Sequence, residues 1–199
     1  MVVVDPDLTP DVRHVACIGL MGSGKSTVGR IVAERLGWGF VDVDDLIETS
    51  TGCSVAELWE HGGEEAYRPL EKSIVIDVLG AFHNSVLATP GGVVLDREAV
   101  DAIESNEVVA VYLRAGPEVL AERIARDGGH ARPLVDDHPG EVMRAMFAAR
   151  DHTYQDLADS VVEVDDLTAD QAATAVLHLL VGSVLRPGTG PSGPVHEPT

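Results

Sequence analysis

The segment from Gly19 to Ser26 constrains this chain of 199 residues more than any other part of it. It reads Gly-Leu-Met-Gly-Ser-Gly-Lys-Ser and matches the phosphate-loop pattern G-x-x-x-x-G-K-[ST]. A strand-like run, Val15–Ile18, precedes it, and a helical pattern follows from Lys25 to Leu36. In this strand–loop–helix setting a glycine-rich backbone curls around phosphate groups at the start of a helix, so an accidental glycine turn is the weaker interpretation.

The phosphate loop predicts a site for ATP and Mg²⁺. Successive backbone N–H groups would bind phosphate oxygens, and the helix N-terminus would add partial positive charge. The ammonium group of Lys25 suits the β- and γ-phosphates, while the Ser26 hydroxyl suits Mg²⁺. The predicted nucleotide-binding residues of the loop are Gly22, Ser23, Gly24, Lys25, Ser26 and Thr27.

Short β-branched runs alternate with helical patterns along the chain, which predicts an α/β fold. The predicted strands are Val15–Leu20, Phe40–Val43, Val86–Thr89, Val108–Leu113 and Val161–Val164. The predicted helices are Lys25–Leu36, Ser54–Glu60, Pro69–Phe82, Arg97–Glu104, Pro117–Arg126, Glu141–Leu157 and Ala169–Leu180. Strands that alternate with helices favour a five-stranded parallel sheet in a three-layer α/β/α sandwich, whose strand order the pattern does not give.

The organisation along the chain is that of one domain between two tails. Residues 1–12 lack periodicity and residues 185–199 are rich in Pro and Gly, so we expect flexible tails around a single domain over 13–184. The segment 127–140 contains three glycines and lies between two predicted helices. It is typical of a mobile lid, although a plain solvent loop would have the same composition.

The charge balance excludes some partners. With 14 basic and 33 acidic residues the net charge is −19, which disfavours binding to nucleic acid or to an anionic membrane. No apolar run is long enough to span a bilayer, and the start of the sequence does not resemble a secretory signal. Two cysteines are too few for a disulfide framework, and Cys17 is expected to be a buried free thiol. We therefore expect a cytoplasmic protein, and a monomer.

Acidic residues follow the second predicted strand, where a doubly wound sheet binds its ligands. Asp42 and Asp44 would share one face of an extended chain. One could hold Mg²⁺ through water, and the other could orient or deprotonate an acceptor hydroxyl. The alternative is that Asp44 or Asp45 caps a helix over Leu46–Thr51.

Six motifs, taken together, resemble the shikimate kinases of the nucleoside-monophosphate-kinase-like group. The motifs are GLMGSGKSTVGR, FVDVDDLIE, GGEEAYR over residues 62–68, PGG and RPL over residues 90–92 and 132–134, and RDHTY over residues 150–154. The resemblance covers about residues 14–182. The phosphate loop alone would not choose among kinases, but the later motifs, in this order and spacing, are specific.

The resemblance implies ATP- and Mg²⁺-dependent phosphorylation of the 3-hydroxyl of shikimate, on the route to chorismate and the aromatic amino acids. It implies that Asp42 positions Mg²⁺ through water, that Asp44 contacts the ring hydroxyls, and that Lys25 acts at the phosphates. The remaining implied roles are carboxylate binding by Arg68 and Arg150, a pocket wall from Gly91 and Gly92, phosphate contact by the lid residue Arg132, and adenine contact by Arg126. Paired guanidinium groups suit a carboxylated acceptor. Without the resemblance these arginines would count as surface residues, as Arg35 and Arg123 do here.

Three departures from the family pattern leave alternatives for the acceptor. Pro90 stands where the family usually has glycine, and Trp59 and Tyr67 stand where it often has phenylalanine. Pro69 directly follows Arg68, so we expect a helix to begin at Pro69. A divergent paralogue that acts on another hydroxylated acid or cyclitol, or a nucleotide-binding regulator without catalysis, are the alternative functions.

Overall fold

A five-stranded parallel sheet organises the computed structural model of this chain, which describes residues 12–105, 107–126 and 138–184. The strands are β1 (His14–Ile18), β2 (Gly39–Asp42), β3 (Ser85–Ala88), β4 (Val108–Arg114) and β5 (Ser160–Glu163). They lie in the order β2-β3-β1-β4-β5, and each neighbouring pair is parallel. Since β1 is the central strand, the loop at its carboxyl end lies between the ends of β3 and β4.

Helices connect the strands and cover the sheet, which confirms the predicted α/β class. They are α1 (Lys25–Leu36), α2 (Val43–Thr51), α3 (Val55–Ala81), α4 (Arg97–Ile103), α5 (Pro117–Arg126), α6 (Pro139–Leu157) and α7 (Ala169–Val184), with a short 3₁₀ turn at Val93–Leu95. Every residue of β1 is buried, as expected for the middle of a parallel sheet covered on both faces. Cys17 in this strand is a buried free thiol, as predicted, and burial raises its pKa to about 12.

Capping boxes begin two of the helices. Ser54 and Glu57 cap α3 reciprocally, with the Ser54 hydroxyl accepting from the Glu57 N–H at 3.2 Å. Thr168 and Gln171 do the same before α7, at 2.9 and 3.2 Å. These side chains satisfy backbone N–H groups that a helix start leaves without partners, so the two helix starts could be predicted closely from local sequence.

The prediction that a helix begins at Pro69 is wrong. Helix α3 runs through this position, and its break lies at Gly63, where φ is 61° and ψ is −160°. The second half of α3 therefore starts shortly after Gly63, and Pro69 falls two turns further along. Pro69 has no N–H to donate to the Glu65 carbonyl, yet α3 continues through it, and the only non-helical backbone inside α3 lies at Gly63.

The chain also leaves β2 earlier than predicted, which corrects the interpretation of the acidic segment. Val43 is the first residue of α2, so Asp42 and Asp44 are not related by the alternation of a strand. The helix cap is Asp42, whose Oδ1 accepts from the Asp44 N–H at 3.1 Å, rather than Asp44 or Asp45. A carboxylate at a helix N-terminus is favoured by both hydrogen bonding and the helix dipole.

Several predictions fall on residues outside the described ranges. The tails, apart from Val12, and residues 127–137 of the predicted lid are among them. The last part of the predicted lid, Pro139–Gly140, belongs to the first turn of α6, because proline suits the first helical position. Within the ranges that the structure describes, no helix combines the length and the apolarity that crossing a membrane would require.

Candidate active site

A cleft of about 1050 Å³ opens at the carboxyl ends of the strands. The phosphate loop forms its floor, α2 and α3 form one side, and α5 with the loop before α7 forms the other. All predicted site residues within the described ranges line this cleft. They are Gly22, Ser23, Gly24, Lys25, Ser26, Thr27, Asp42, Asp44, Arg68, Gly91, Gly92, Arg126 and Arg150. Arg132 lies outside the described residues.

The phosphate loop has the backbone shape that a phosphate cradle needs. Gly22 and Gly24 have φ values of 80° and 93°, in the left-handed region that side chains disfavour. Gly24 is the N-cap of α1, and no side chain caps this helix or places a negative charge in its first turn. The first amide groups of α1 therefore keep their donor capacity and partial positive charge for an anion.

Two side chains of the loop fit a bound triphosphate. Lys25 Nζ donates to the carbonyl oxygens of Gly19 and Leu20, both at 2.9 Å, which holds the ammonium group over the loop. The Ser23 hydroxyl is buried and makes no hydrogen bond with any other described residue. A buried hydroxyl without a partner is costly, and a phosphate oxygen in the cradle would supply one.

The metal-ligating residues predicted here are Ser26 and Asp42. Both line the cleft, with the Ser26 side chain exposed in the first turn of α1. No cluster of three or more carboxylate, imidazole or thiol groups able to hold a metal occurs among the described residues. This donor set fits Mg²⁺, which keeps several waters and binds through one or two protein oxygens together with substrate phosphates.

Asp44 lies at the first turn of α2 and faces the second half of α3. Its Oδ1 accepts a hydrogen bond of 2.6 Å from the hydroxyl of Tyr67, whose ring is almost completely buried. Burial and the Asp44 carboxylate raise the pKa of Tyr67, so the phenol remains a donor. The ring of Trp59 packs against Tyr67 with the centroids 5.6 Å apart. Tyr67 thus does more than fill the pocket wall, because it fixes the orientation of the Asp44 carboxylate.

Arg68 is held by two carboxylates of its own helix. Its Nε and Nη2 donate to Glu64 Oε1 at 2.8 and 2.7 Å, and its Nη1 donates to Glu71 Oε2 at 2.5 Å. The guanidinium group also lies over the Trp59 ring, 5.6 Å from the centroid. These contacts hold the planar group in one orientation, which lowers the entropy cost of binding a carboxylate.

Glu71 is a further residue of the site that no sequence motif indicated. Only 5% of Glu71 is exposed, and burial raises its pKa to about 7 although the Arg68 guanidinium opposes that shift. The only indication of its role in the sequence is its position three residues after Arg68, which places both side chains on the same face of a helix. That spacing is common on surfaces, so only the packing of α3 shows that this carboxylate is buried.

The two glycines after β3 lie between Arg68 and α6. A Cβ atom on Gly92 would lie 1.6 Å from Arg68 Nη1, so only glycine allows the guanidinium group this position. The carbonyl oxygen of Gly91 accepts from Arg150 Nη1 at 3.1 Å and from the Tyr154 hydroxyl at 2.5 Å. The structure therefore brings the two predicted carboxylate-binding arginines to one short glycine segment.

The opposite end of the cleft is bounded by α5 and the loop that follows β5. Arg126 is exposed there, at the last position of α5. Arg123 is not the simple surface residue that was expected, because its Nη2 donates to the Val164 carbonyl at 2.5 Å and to the Asp165 carbonyl at 3.3 Å. Arg35 is the expected surface residue, with an ion pair to Asp170.

Comparisons with known proteins agree with this geometry. The family model described as shikimate kinase matches residues 21–181. A shikimate kinase of Streptomyces coelicolor is 39% identical over 163 residues, which cover 82% of this chain and 92% of that protein. A shikimate kinase of Parasynechococcus marenigrum is 38% identical over 169 residues, covering 84% of this chain and 86% of that protein.

A solved structure has the same fold. The shikimate kinase from Acinetobacter baumannii in complex with shikimate superimposes with a TM-score of 0.84 at 29% identity. The match covers 92% of this chain and 100% of that one. The superposition therefore extends over nearly the whole length of both chains and includes the five-stranded sheet, the phosphate loop and the residues around the cleft.

Proposed function

The chain belongs to the shikimate kinase family, and we infer from this membership and from the cleft that it phosphorylates the 3-hydroxyl of shikimate with ATP. This reaction belongs to the chorismate and aromatic amino acid pathway. The observation that carries the inference is that a phosphate loop and two arginines suited to binding a carboxylate line the same cleft. Asp44 lines the same cleft, and we assign it to the acceptor hydroxyl.

The phosphate side of the site is assigned to backbone amides and one ammonium group. We propose that the amides of Gly22–Thr27 bind the phosphates, and that Lys25 moves from its two carbonyl partners to the β- and γ-phosphate oxygens. Ser26 and Asp42 would hold Mg²⁺, the latter through water. When bound, Mg²⁺ neutralises the charge that develops on the transferring phosphoryl group.

The acceptor side is assigned to side chains. Arg68 and Arg150 would bind the carboxylate of shikimate, with Gly91 and Gly92 forming the wall between them. The charge-assisted hydrogen bonds of guanidinium groups suit this planar anion. A substrate anchored at its carboxylate presents its ring hydroxyls to Asp44, whose orientation Tyr67 fixes. Asp44 either accepts the proton of the 3-hydroxyl or orients that hydroxyl for attack.

Other assignments rest on the family resemblance. Arg126 would lie against the adenine, and Arg132 would contact the phosphates from a lid over 127–140. We propose a single kinase domain over 13–184 that acts as a monomer in the cytoplasm. The net charge of −19 supports the proposal that neither nucleic acid nor a membrane is a partner.

An assay of ADP release with purified protein, Mg²⁺-ATP and shikimate tests the function. We expect shikimate-dependent turnover, and Asp44→Asn should lower kcat by about 10²–10⁴-fold if Asp44 is the general base. A smaller loss would assign Asp44 an orienting role. Asp77→Asn, an exposed change on α3, serves as the control and should keep wild-type turnover. Turnover of another hydroxy acid, but not of shikimate, would contradict the proposed acceptor.

A further inference from the structure

The carbonyl group of Gly91 is fixed from one side by α6. Arg150 and Tyr154 lie one turn apart on this helix, and both donate to the Gly91 oxygen, at 3.1 and 2.5 Å. The peptide group is planar and trans, so its C=O and N–H bonds point in opposite directions. Two donors on the Gly91 carbonyl therefore also fix the plane of the peptide group that leads into Gly92, the residue whose Cα lies against the guanidinium group of Arg68.

Tyr154 is itself fixed by a second tyrosine. Its side chain has no exposed surface, and its ring stacks on that of Tyr112 with the centroids 5.0 Å apart and the planes at 26°. Tyr112 belongs to β4, so the stack joins α6 to the sheet. The Tyr112 hydroxyl donates to Asp151 Oδ1 at 2.9 Å. Asp151 belongs to α6 and directly follows Arg150, so this hydrogen bond is a second contact between the sheet and that helix.

Asp151 is the centre of a charged cluster. Arg114, the last residue of β4, donates to both Asp151 oxygens, from Nε at 2.7 Å and from Nη2 at 3.1 Å. The third arm of Arg114 donates to Glu163 on β5 at 2.9 Å, and its guanidinium group lies 5.1 Å from the centre of the Phe147 ring. This two-point contact of an arginine with a carboxylate specifies both distance and angle, so it sets the rotation of α6 relative to the sheet.

From these contacts we propose that Arg114, Asp151, Tyr112 and Tyr154 are positioning residues for shikimate, acting through Arg150 and the Gly91 carbonyl. The inference deepens the proposed function and rests on it. The four residues do not contact the substrate. They hold the α6 turn that carries Arg150, and they hold the Gly91–Gly92 peptide, so that the guanidinium group and the glycine segment meet the carboxylate without rearrangement. Such preorganisation increases affinity by lowering the ordering cost of binding.

The first test is Tyr154→Phe, which removes the hydroxyl and keeps the ring that stacks on Tyr112. We expect the KM for shikimate to rise about 3- to 10-fold, in line with the loss of one hydrogen bond, while the KM for ATP changes less than twofold. A purely structural role would not separate the two KM values. His152→Ala is the matched control, since this neighbouring α6 side chain is 87% exposed and should leave both KM values unchanged.

The second test asks whether the charged cluster acts through the same path. Arg114→Met should also raise the KM for shikimate selectively, and Arg114→Lys should restore part of it because one ion pair to Asp151 survives. In the double variant Arg114→Met with Tyr154→Phe, the two effects should be less than multiplicative, since both loosen the same carbonyl. Multiplicative effects, or KM values for both substrates that rise together, would overturn the inference.

Failure of the inference can be told apart from failure of the proposed function. Wild-type protein that does not phosphorylate shikimate would overturn both. Wild-type protein that does so, with Tyr154→Phe unchanged in its KM for shikimate, would overturn the positioning role alone. Thermal unfolding of each variant is recorded in parallel, and a lower Tm with unchanged KM values would show that the four residues only stabilise the fold.

Discussion

The two halves of the cleft are built from different parts of the polypeptide. The nucleotide half, which contains the phosphate loop, is mostly backbone. It consists of glycines with positive φ, the N-terminus of α1 without a side-chain cap, and a lysine that donates to carbonyl oxygens of its own loop. The acceptor half is mostly side chains, each held by another side chain or by a distant carbonyl group, as Arg68 is by Glu64 and Glu71. The first half depends on one short segment, whereas the second depends on the packing of α3, α6 and the sheet.

This difference predicts which substitutions impair each half of the cleft. A backbone cradle tolerates changes around it but not within it, because its shape comes from φ and ψ angles. A side-chain site can be altered gradually, since each contact contributes a modest free energy and neighbouring contacts remain. Substitutions should therefore separate the two halves by both size and kind of effect.

Lys25→Met should give the largest effect of these substitutions and should affect the nucleotide half alone. Loss of the ammonium group removes charge stabilisation at the phosphates, and we expect kcat to fall by about 10²–10³-fold. Calorimetric titration with shikimate in the absence of ATP should give a Kd within twofold of the wild type. Lys72→Met is the control, because Lys72 pairs with Asp96 and Glu98 outside the cleft. A large loss of shikimate affinity in Lys25→Met would show that the halves are not separate.

Gly92→Ala should give the next largest effect and should affect the acceptor half. The new Cβ atom would lie 1.6 Å from Arg68 Nη1, so the guanidinium group must leave its place. We expect the KM for shikimate to rise about 10- to 100-fold, as for a lost hydrogen bond to a charged group, with little change in the KM for ATP. Gly80→Ala on α3 is the control, since a Cβ there meets open space. Equal changes in both KM values would contradict the comparison.

Glu71→Gln should give the smallest kinetic effect and a distinct pH dependence of stability. In the folded state the pKa of Glu71 is raised to about 7, above the value of 4.5 for a free side chain. Between these values the native state binds the extra proton, so this group makes wild-type stability fall as pH rises from 4.5 to 7. The Glu71→Gln variant has no ionisable group at this position. The difference between its free energy of unfolding and that of the wild type should therefore increase by on the order of 2 kcal/mol from pH 4.5 to 7.

Urea unfolding at several pH values measures this difference, with the exposed Glu65→Gln as a control. The KM for shikimate should rise about threefold in Glu71→Gln, because the amide still fills the space but holds Arg68 less firmly. A constant difference in stability between pH 4.5 and 7 would show that Glu71 does not titrate in this window. Such a result would contradict the raised pKa of the buried Glu71 side chain in the folded state.

The same contrast explains what could be predicted from the sequence. The phosphate loop, the capping box at Ser54 and the α/β class were predictable, because each depends on residues close together in the chain. The strand order was not, since it depends on which strands pair across long connections. The break at Gly63 was missed because Pro69 gives the stronger local signal, yet glycine alone adopts the conformation that the break requires.

The residues of the acceptor half could be predicted only through the resemblance to a known family. Arg68 and Arg150 are 82 residues apart in the sequence, and their shared contact region near Gly91–Gly92 is visible only once α3 and α6 are packed. Arg123 was assigned to the surface, because a helical arginine usually belongs there, but two backbone carbonyls of a distant loop accept from it. Glu71 belonged to no motif, and Tyr154 belonged to the RDHTY motif without a role of its own, because both roles depend on which group lies opposite the side chain.

The carboxylates around Arg68 have a consequence for the release of product. Asp44 and Glu71 line the same pocket as Arg68 and Arg150, and Glu64 pairs with Arg68, so carboxylates already offset the arginine charges before any substrate arrives. The acceptor then adds a single carboxylate, which the two guanidinium groups bind, whereas a phosphorylated acid brings additional negative charge close to Asp44. We therefore expect the pocket to bind an incoming monoanion more tightly than an outgoing polyanion, so that repulsion speeds the release of product and discourages inhibition by it.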